Sequence, residues 1–158
     1  MILREVAVSD TCERKTFLRD LVAGSTGAIN GSGESFSQRY WGVANEVMAV
    51  ATVTADEERT RAGAPDLIKI DVEGHEESVI RGAHTTLKED QPILIFECFH
   101  GGGEITDFLE SLGYWVGDAE HMNNDRGRAT NFLALPPRHR PVLEALRQFW
   151  TEQMSQFG

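Results

Sequence analysis

Three side chains that can hold or move a proton follow one apolar run in this chain. Residues 66–76 read Asp-Leu-Ile-Lys-Ile-Asp-Val-Glu-Gly-His-Glu. The aliphatic residues up to position 72 are typical of a strand that is covered on both faces. Ligands of open α/β sheets bind beyond the carboxyl ends of strands, which is where Asp71, Glu73 and His75 should lie. We therefore expect any chemistry at these three residues.

Each of the three has a chemical and a purely structural interpretation. The Asp71 carboxylate can accept hydrogen bonds from a ligand, and it can equally cap a helix or order a loop. His75 can serve as a general base, because an imidazole with a pKa near 6.5 exchanges protons at neutral pH. A histidine in a loop is more often only solvated. Glu73 is alternatively an ordinary surface residue.

A metal site is a weaker possibility for the same region. The carboxyl ends of neighbouring strands meet at one edge of a sheet, which could gather five potential ligands around a divalent cation: Asp71, Glu73, His75, Glu97 and His100. The spacing does not demand a metal, because the chain has neither a His-x-x-x-His pair nor a closely spaced cysteine pair. We predict no metal ligand.

Composition narrows the class of protein. The chain has 158 residues and a net charge of −10, which argues against a nucleic-acid partner because phosphate binding relies on clustered Lys and Arg. It has no basic leader and no apolar run near the roughly 20 residues of a membrane span. We expect a cytoplasmic protein without membrane contact, in which Cys12 and Cys98 are reduced thiols.

The elements that must position the candidate residues alternate along the chain. Apolar runs predict strands over residues 2–8, 16–18, 47–53, 66–72, 93–96, 114–116 and 131–135, whereas residues 23–37 predict a flexible loop. Thr54 and Glu57 have capping-box spacing for a helix ending near Ala62. Further helices are predicted around Val79 to Leu87, around Ile105 to Leu112 and from Pro141 onward. This alternation predicts an α/β fold, a mostly parallel sheet with helices on both faces.

At residues 67–76 the chain resembles the FkbM family of S-adenosylmethionine-dependent methyltransferases. The run Ala7-Val8-Ser9-Asp10 is similar to the family's strand and turn near the adenine. Residues 50–56, 81–83 and 92–97 are similar to the segments that flank the central motif, with Ala55 where a leucine is usual. The resemblance covers about residues 3–135, and we predict a methyltransferase domain over residues 1–137 with a C-terminal helical extension over residues 138–158.

The resemblance implies a fold, a cofactor and residue roles. The fold would be Rossmann-like, and the activity would be O-methylation of a small natural-product or sugar hydroxyl with S-adenosylmethionine. Asp71 would lie beside the donor's methionine moiety or the reacting hydroxyl, Glu73 would orient the loop or the substrate, and His75 would be a possible base. Ser9 and Asp10 would bind near the adenine.

The family's pattern also includes a glycine-rich strand-turn-helix and an acidic strand end that precede the region seen here. We therefore expect the N-terminal strands of the Rossmann-like sheet to be missing from this chain. An alternative function follows, in which the chain is a non-catalytic remnant or a half domain that pairs with another chain supplying those strands. A homo-oligomer is compatible with either interpretation.

Overall fold

The computed structural model describes residues 3–21, 27–29, 42, 46–98, 102–123, 127 and 129–155. The chain forms two compact units. The first comprises Met1–Ala64 and Asp71–Thr86, and the second comprises Pro65–Ile70 and Leu87–Gly158.

The described residues of the first unit form a four-stranded sheet and two α-helices. Its strands are β1 (Ala7–Val8), β2 (Arg14–Arg19), β3 (Gly27–Ile29) and β4 (Glu46–Val53), and its helices are α1 (Ala55–Ala62) and α2 (Glu76–Arg81). The strand order is β1-β4-β2-β3. Strand β1 runs parallel to β4, whereas β2 runs antiparallel to both β3 and β4.

Helix α1 depends on polar contacts, because none of its residues is buried. The Thr54 hydroxyl accepts the Glu57 backbone N–H at 3.0 Å, which satisfies one of the orphan donors of the first turn. The predicted cap and the predicted end at Ala62 are both confirmed.

The second unit contains the other four-stranded sheet. Its strands are β5 (Leu67–Ile70), β6 (Ile93–Glu97), β7 (Trp115–Asp118) and β8 (Asn131–Leu135), in the order β5-β6-β8-β7. Helix α3 (Gly103–Ser111) precedes β7, and a 3-10 helix (Pro137–Val142) leads into α4 (Leu143–Ser155). The rings of Phe96 and Phe132 stack with centroids 5.0 Å apart, and both side chains are fully buried.

The α/β class is confirmed, but the expectation of a mostly parallel sheet is wrong. Among the strand pairs that the described residues form, only β1–β4 and β5–β6 are parallel, and the other four pairings are antiparallel. Residues 20–26 connect β2 to β3, which is too short for the crossover that parallel neighbours require. Both sheets are therefore mixed.

Several predicted elements differ in extent from the observed ones. The strand predicted over residues 66–72 is Leu67–Ile70, and the helix predicted around Val79 to Leu87 ends at Arg81 and is followed by a π-helix, Thr86–Asp90. The predicted loop over residues 23–37 contains strand β3, and residues 23–26 and 30–37 lie outside the described part of the chain. The predicted strand over residues 2–8 is reduced to Ala7–Val8, with residue 2 outside the described part. In the described ranges, no helix is both long and apolar enough to cross a membrane.

Candidate functional site

The turn that carries the three central residues has an unusual backbone. Glu73 has φ +50° and Gly74 has φ +91°, so two successive residues lie in the left-handed region before α2 begins. A non-glycine residue there costs on the order of 1 kcal/mol and persists only where its surroundings hold it. Glu76 is 5% exposed, and its carboxylate accepts the Gly74 N–H at 3.0 Å. Glu76, the first residue of α2, thus stabilises the turn.

Asp71 and His75 line a cleft of about 940 Å³ in the first unit. Most of the remaining wall is apolar and comes from Val6 and the four strands β1 to β4, including Ala7, Val8, Phe17, Ile29 and Val50. Charged side chains reach the same cleft from Glu5, Arg14 and Arg19. Largely apolar walls with a few polar groups are typical of a small-molecule site.

Beside this cleft, His75 belongs to a compact polar cluster with Ser9, Asp10 and Lys15. The Ser9 Oγ lies 2.9 Å from His75 Nε2 and 3.0 Å from Asp10 Oδ1. Lys15 Nζ donates to the Ser9 Oγ at 2.9 Å and to Asp10 Oδ1 at 3.2 Å. Ser9 has no exposed surface, so its hydroxyl is satisfied by these protein groups.

Two groups of the cluster, His75 and Asp10, have lowered pKa values. Burial is the main reason that the pKa of His75 lies below its ordinary value, and the Lys15 ammonium adds to the effect, whereas Asp10 and Glu76 oppose it. Hydrogen bonds from Lys15 and then Ser9 lower the pKa of Asp10. Both shifts favour a neutral imidazole beside an ionised carboxylate at neutral pH.

Close backbone packing fixes Ser9 from two sides. Its N–H donates to the Val53 carbonyl at 2.9 Å, which extends the pairing of β1 with β4. Its own carbonyl oxygen lies so near Gly82 that a Cβ there would approach it to 2.1 Å. Only glycine fits at position 82 without movement.

The structure thus brings together four of the five predicted site residues in two groups. Asp71 and His75 share the cleft, and Ser9 and Asp10 join His75 through hydrogen bonds. Glu73 forms the turn between Asp71 and His75. The adenine contact of Ser9 and Asp10 stays a prediction.

Lys15 is the one member of the cluster that sequence reasoning missed. A cation at the edge of a predicted strand, five residues after an acid, was the available signal, but that spacing alone is common on solvated surfaces.

Of the five possible metal ligands, Glu97 belongs to β6 and His100 lies outside the described residues. No group of three or more His, Cys, Asp or Glu side chains suited to a metal occurs in the described ranges.

A family model described as the methyltransferase FkbM domain matches residues 3–116. The chain belongs to the FkbM methyltransferase family. The match includes all five predicted site residues and Lys15. The family resemblance expected from residues 67–76 is therefore confirmed.

One solved structure is similar to this FkbM-family chain, the methyltransferase FkbM from Methylobacillus flagellatus KT. The identity is 26% and the TM-score is 0.42, over 54% of this chain and 23% of that protein. The chain thus matches about a quarter of the length of that relative. No curated protein matches it.

Proposed function

We propose that this chain acts in S-adenosylmethionine-dependent methyl transfer to a hydroxyl oxygen of a small molecule. The observation that supports this proposal most directly is that Asp71 and His75 line the same cleft. Both residues belong to the segment most similar to the family. A carboxylate and an imidazole in one cleft can bind a cationic group and accept a proton.

The residues of the cleft fit the chemistry of such a donor. S-adenosylmethionine combines an aromatic purine, whose ring faces pack on apolar side chains, with a sulfonium, an ammonium and a carboxylate group. The apolar walls suit the purine, and the Asp71 and Glu5 carboxylates suit the cationic groups. A volume of about 940 Å³ lies within the usual range of small-molecule sites, about 300–1,000 Å³.

The chain's own residues would orient the acceptor and take its proton. The donor, when bound, supplies a methyl group that is already activated, so alignment and proton removal are the main tasks left to the protein. Asp71 would hold the donor or the acceptor hydroxyl by accepting a hydrogen bond. His75 would receive the hydroxyl proton, because its lowered pKa keeps it unprotonated near neutrality.

The test is calorimetric titration of the 158-residue chain with S-adenosylhomocysteine, the demethylated donor. We expect saturable binding that weakens at least tenfold in Asp71→Asn, equivalent to about 1.4 kcal/mol. Asp107→Asn, an exposed position on α3, is the matched control and should bind like the wild type. Circular dichroism of all three proteins checks that the fold is retained.

A different result would favour the second candidate function. If the folded wild-type chain shows no saturable binding, this proposal is wrong for the chain by itself, and a half domain that pairs with another chain becomes the better hypothesis. Equal binding by wild type and Asp71→Asn would contradict the role of Asp71 but not the proposal that the chain binds the donor.

A further inference from the structure

The Ser9 hydroxyl has three polar partners but only one proton to give. Its Oγ lies 2.9 Å from Lys15 Nζ, 2.9 Å from His75 Nε2 and 3.0 Å from Asp10 Oδ1. A hydroxyl donates one hydrogen bond and accepts two. Three hydrogen bonds therefore saturate the Ser9 hydroxyl. The remaining question is which of the three partners accepts its proton.

The chemistry of the partners determines that arrangement. The Lys15 ammonium can only donate, and the ionised Asp10 carboxylate can only accept. A hydrogen bond to a carboxylate is roughly twice as strong as one to a neutral acceptor, so the Ser9 proton goes to Asp10 rather than to His75. His75 Nε2 must then carry a proton and donate it to the Ser9 oxygen.

We propose that Ser9, Asp10 and Lys15 are positioning residues that hold His75 as the Nε2–H tautomer and make Nδ1 its basic nitrogen. The hydrogen-bond chain runs from His75 Nε2–H to Ser9 Oγ and from Ser9 Oγ–H to Asp10 Oδ1. Its catalytic use rests on the proposed function, but the tautomer itself does not.

The charges around His75 come from three elements. Lys15 lies on β2 and lowers the pKa of His75, whereas Asp10, which follows β1, and Glu76, on α2, raise it. Burial lowers the pKa further and is the largest influence. Lys15 thus has two effects: it donates a hydrogen bond to the Ser9 oxygen, and it adds to the effect of burial in lowering the pKa of His75.

In methyl transfer the tautomer would determine where the acceptor's proton goes. The acceptor oxygen forms a bond to the methyl carbon while the carbon–sulfur bond breaks and its electron pair stays on sulfur. The hydroxyl proton passes to His75 Nδ1, and the resulting imidazolium later releases it to water. Because Nε2–H donates to Ser9 in both protonation states, the ring keeps its orientation throughout.

The experiment is two-bond nitrogen–proton correlation NMR on the uniformly ¹⁵N-labelled 158-residue chain without any ligand. His75 is assigned by the signals that disappear in His75→Gln. We expect the neutral ring to carry its proton on Nε2 in the wild type, and to become a mixture of tautomers in Ser9→Ala. The signals of His139, in the second unit, should be the same in both proteins.

The charge variants provide a readout that a merely structural role would not move. Lys15→Met removes a nearby cation and should raise the pKa of His75. Asp10→Asn removes a nearby anion and should lower the pKa. Shifts of the two variants in the same direction would contradict the proposed roles of Lys15 and Asp10.

The wild-type spectrum is decisive even if Ser9→Ala does not fold. A wild-type His75 protonated on Nδ1 would overturn the proposal, as would an unchanged tautomer in a folded Ser9→Ala. Since no donor is present, a chain that fails to bind S-adenosylhomocysteine can still show the expected tautomer, and the two proposals fail separately.

Discussion

At the residue scale, Gly82 has the sharpest steric requirement. A Cβ there would meet the Ser9 carbonyl oxygen at 2.1 Å, and the carbonyl carbon at 3.0 Å. Backbone atoms cannot rotate away as a side chain can, so Gly82→Ala must shift α2 or the segment after β1. We expect a loss of about 2 kcal/mol in the free energy of unfolding, as in other overpacked sites, measured by urea denaturation.

Gly103→Ala provides the matched control. Gly103 is the first residue of α3, and an added Cβ there would meet nothing within 4 Å. Alanine favours a helix over glycine by up to about 1 kcal/mol. We therefore expect Gly103→Ala to be neutral or stabilising, and a Gly82→Ala protein as stable as Gly103→Ala would contradict the packing argument.

At the element scale, one carboxylate joins α1 to the chain beyond α2. Asp56 accepts the Thr85 N–H at 2.9 Å and, on its other oxygen, the Thr86 N–H at 2.8 Å and hydroxyl at 2.7 Å. Burial works against ionisation, but the hydrogen bonds from Thr86 and Thr85 outweigh it and lower the pKa of Asp56. The ionised form is therefore favoured by folding.

This shift gives a pH dependence with a definite sign. A carboxyl whose pKa is lower in the folded state contributes stability above its unfolded pKa of about 3.9, and that contribution is lost as the pH falls through the folded value. We expect Asp56→Asn to cost about 2 kcal/mol at pH 7 and progressively less below about pH 4. Asp107→Asn, at an exposed position on α3, is the control and should have the same free energy of unfolding as the wild type at pH 7. A constant difference between Asp56→Asn and wild type across this range would show that the carboxylate is not the source.

Elements with strong local signals were predictable from the sequence. The cap at Thr54, the strand Asn131–Leu135 and the end of α3 before Gly113, which has φ +88°, all follow from neighbouring residues. The pairing of β2 with β4 was not predictable, because residues 20–45 separate the two strands and local patterns do not specify a long-range partner. The Lys15 contact with Ser9 depends on the same pairing and was missed for that reason.

At the scale of the whole molecule, each sheet has two edge strands in the described ranges, β1 and β3 in the first sheet and β5 and β7 in the second. Strand β1 pairs with β4, and β5 pairs with β6, within the described ranges. Leu67 on β5 is 52% exposed. An edge strand with exposed apolar side chains can accept a further strand, so the β5 edge is where the alternative function, pairing with another chain, would act.

The contacts of the C-terminal segment bear on whether helix α4 belongs to the core of the second unit. Residues 138–158 are predicted as a helical extension beyond the methyltransferase domain, yet Leu143 is only 7% exposed and packs against Leu133 and Leu135. Arg147 adds a hydrogen bond to the Met122 carbonyl at 2.9 Å. These contacts favour a segment that folds together with the second sheet.

Leu143→Ala should therefore cost about 3 kcal/mol in the free energy of unfolding, since truncation of a buried leucine removes apolar burial and leaves a cavity. Val142→Ala changes the adjacent residue, which is 46% exposed, and should cost no more than about 0.5 kcal/mol. Urea denaturation monitored by tryptophan fluorescence compares the stabilities of the two variants, because Trp115 packs against Leu133, Leu135 and Leu143. Equal stabilities would mean that α4 is dispensable to the unit and that residues 138–158 are an extension in the structural sense. A large difference would mean that the second unit needs α4 to complete its core.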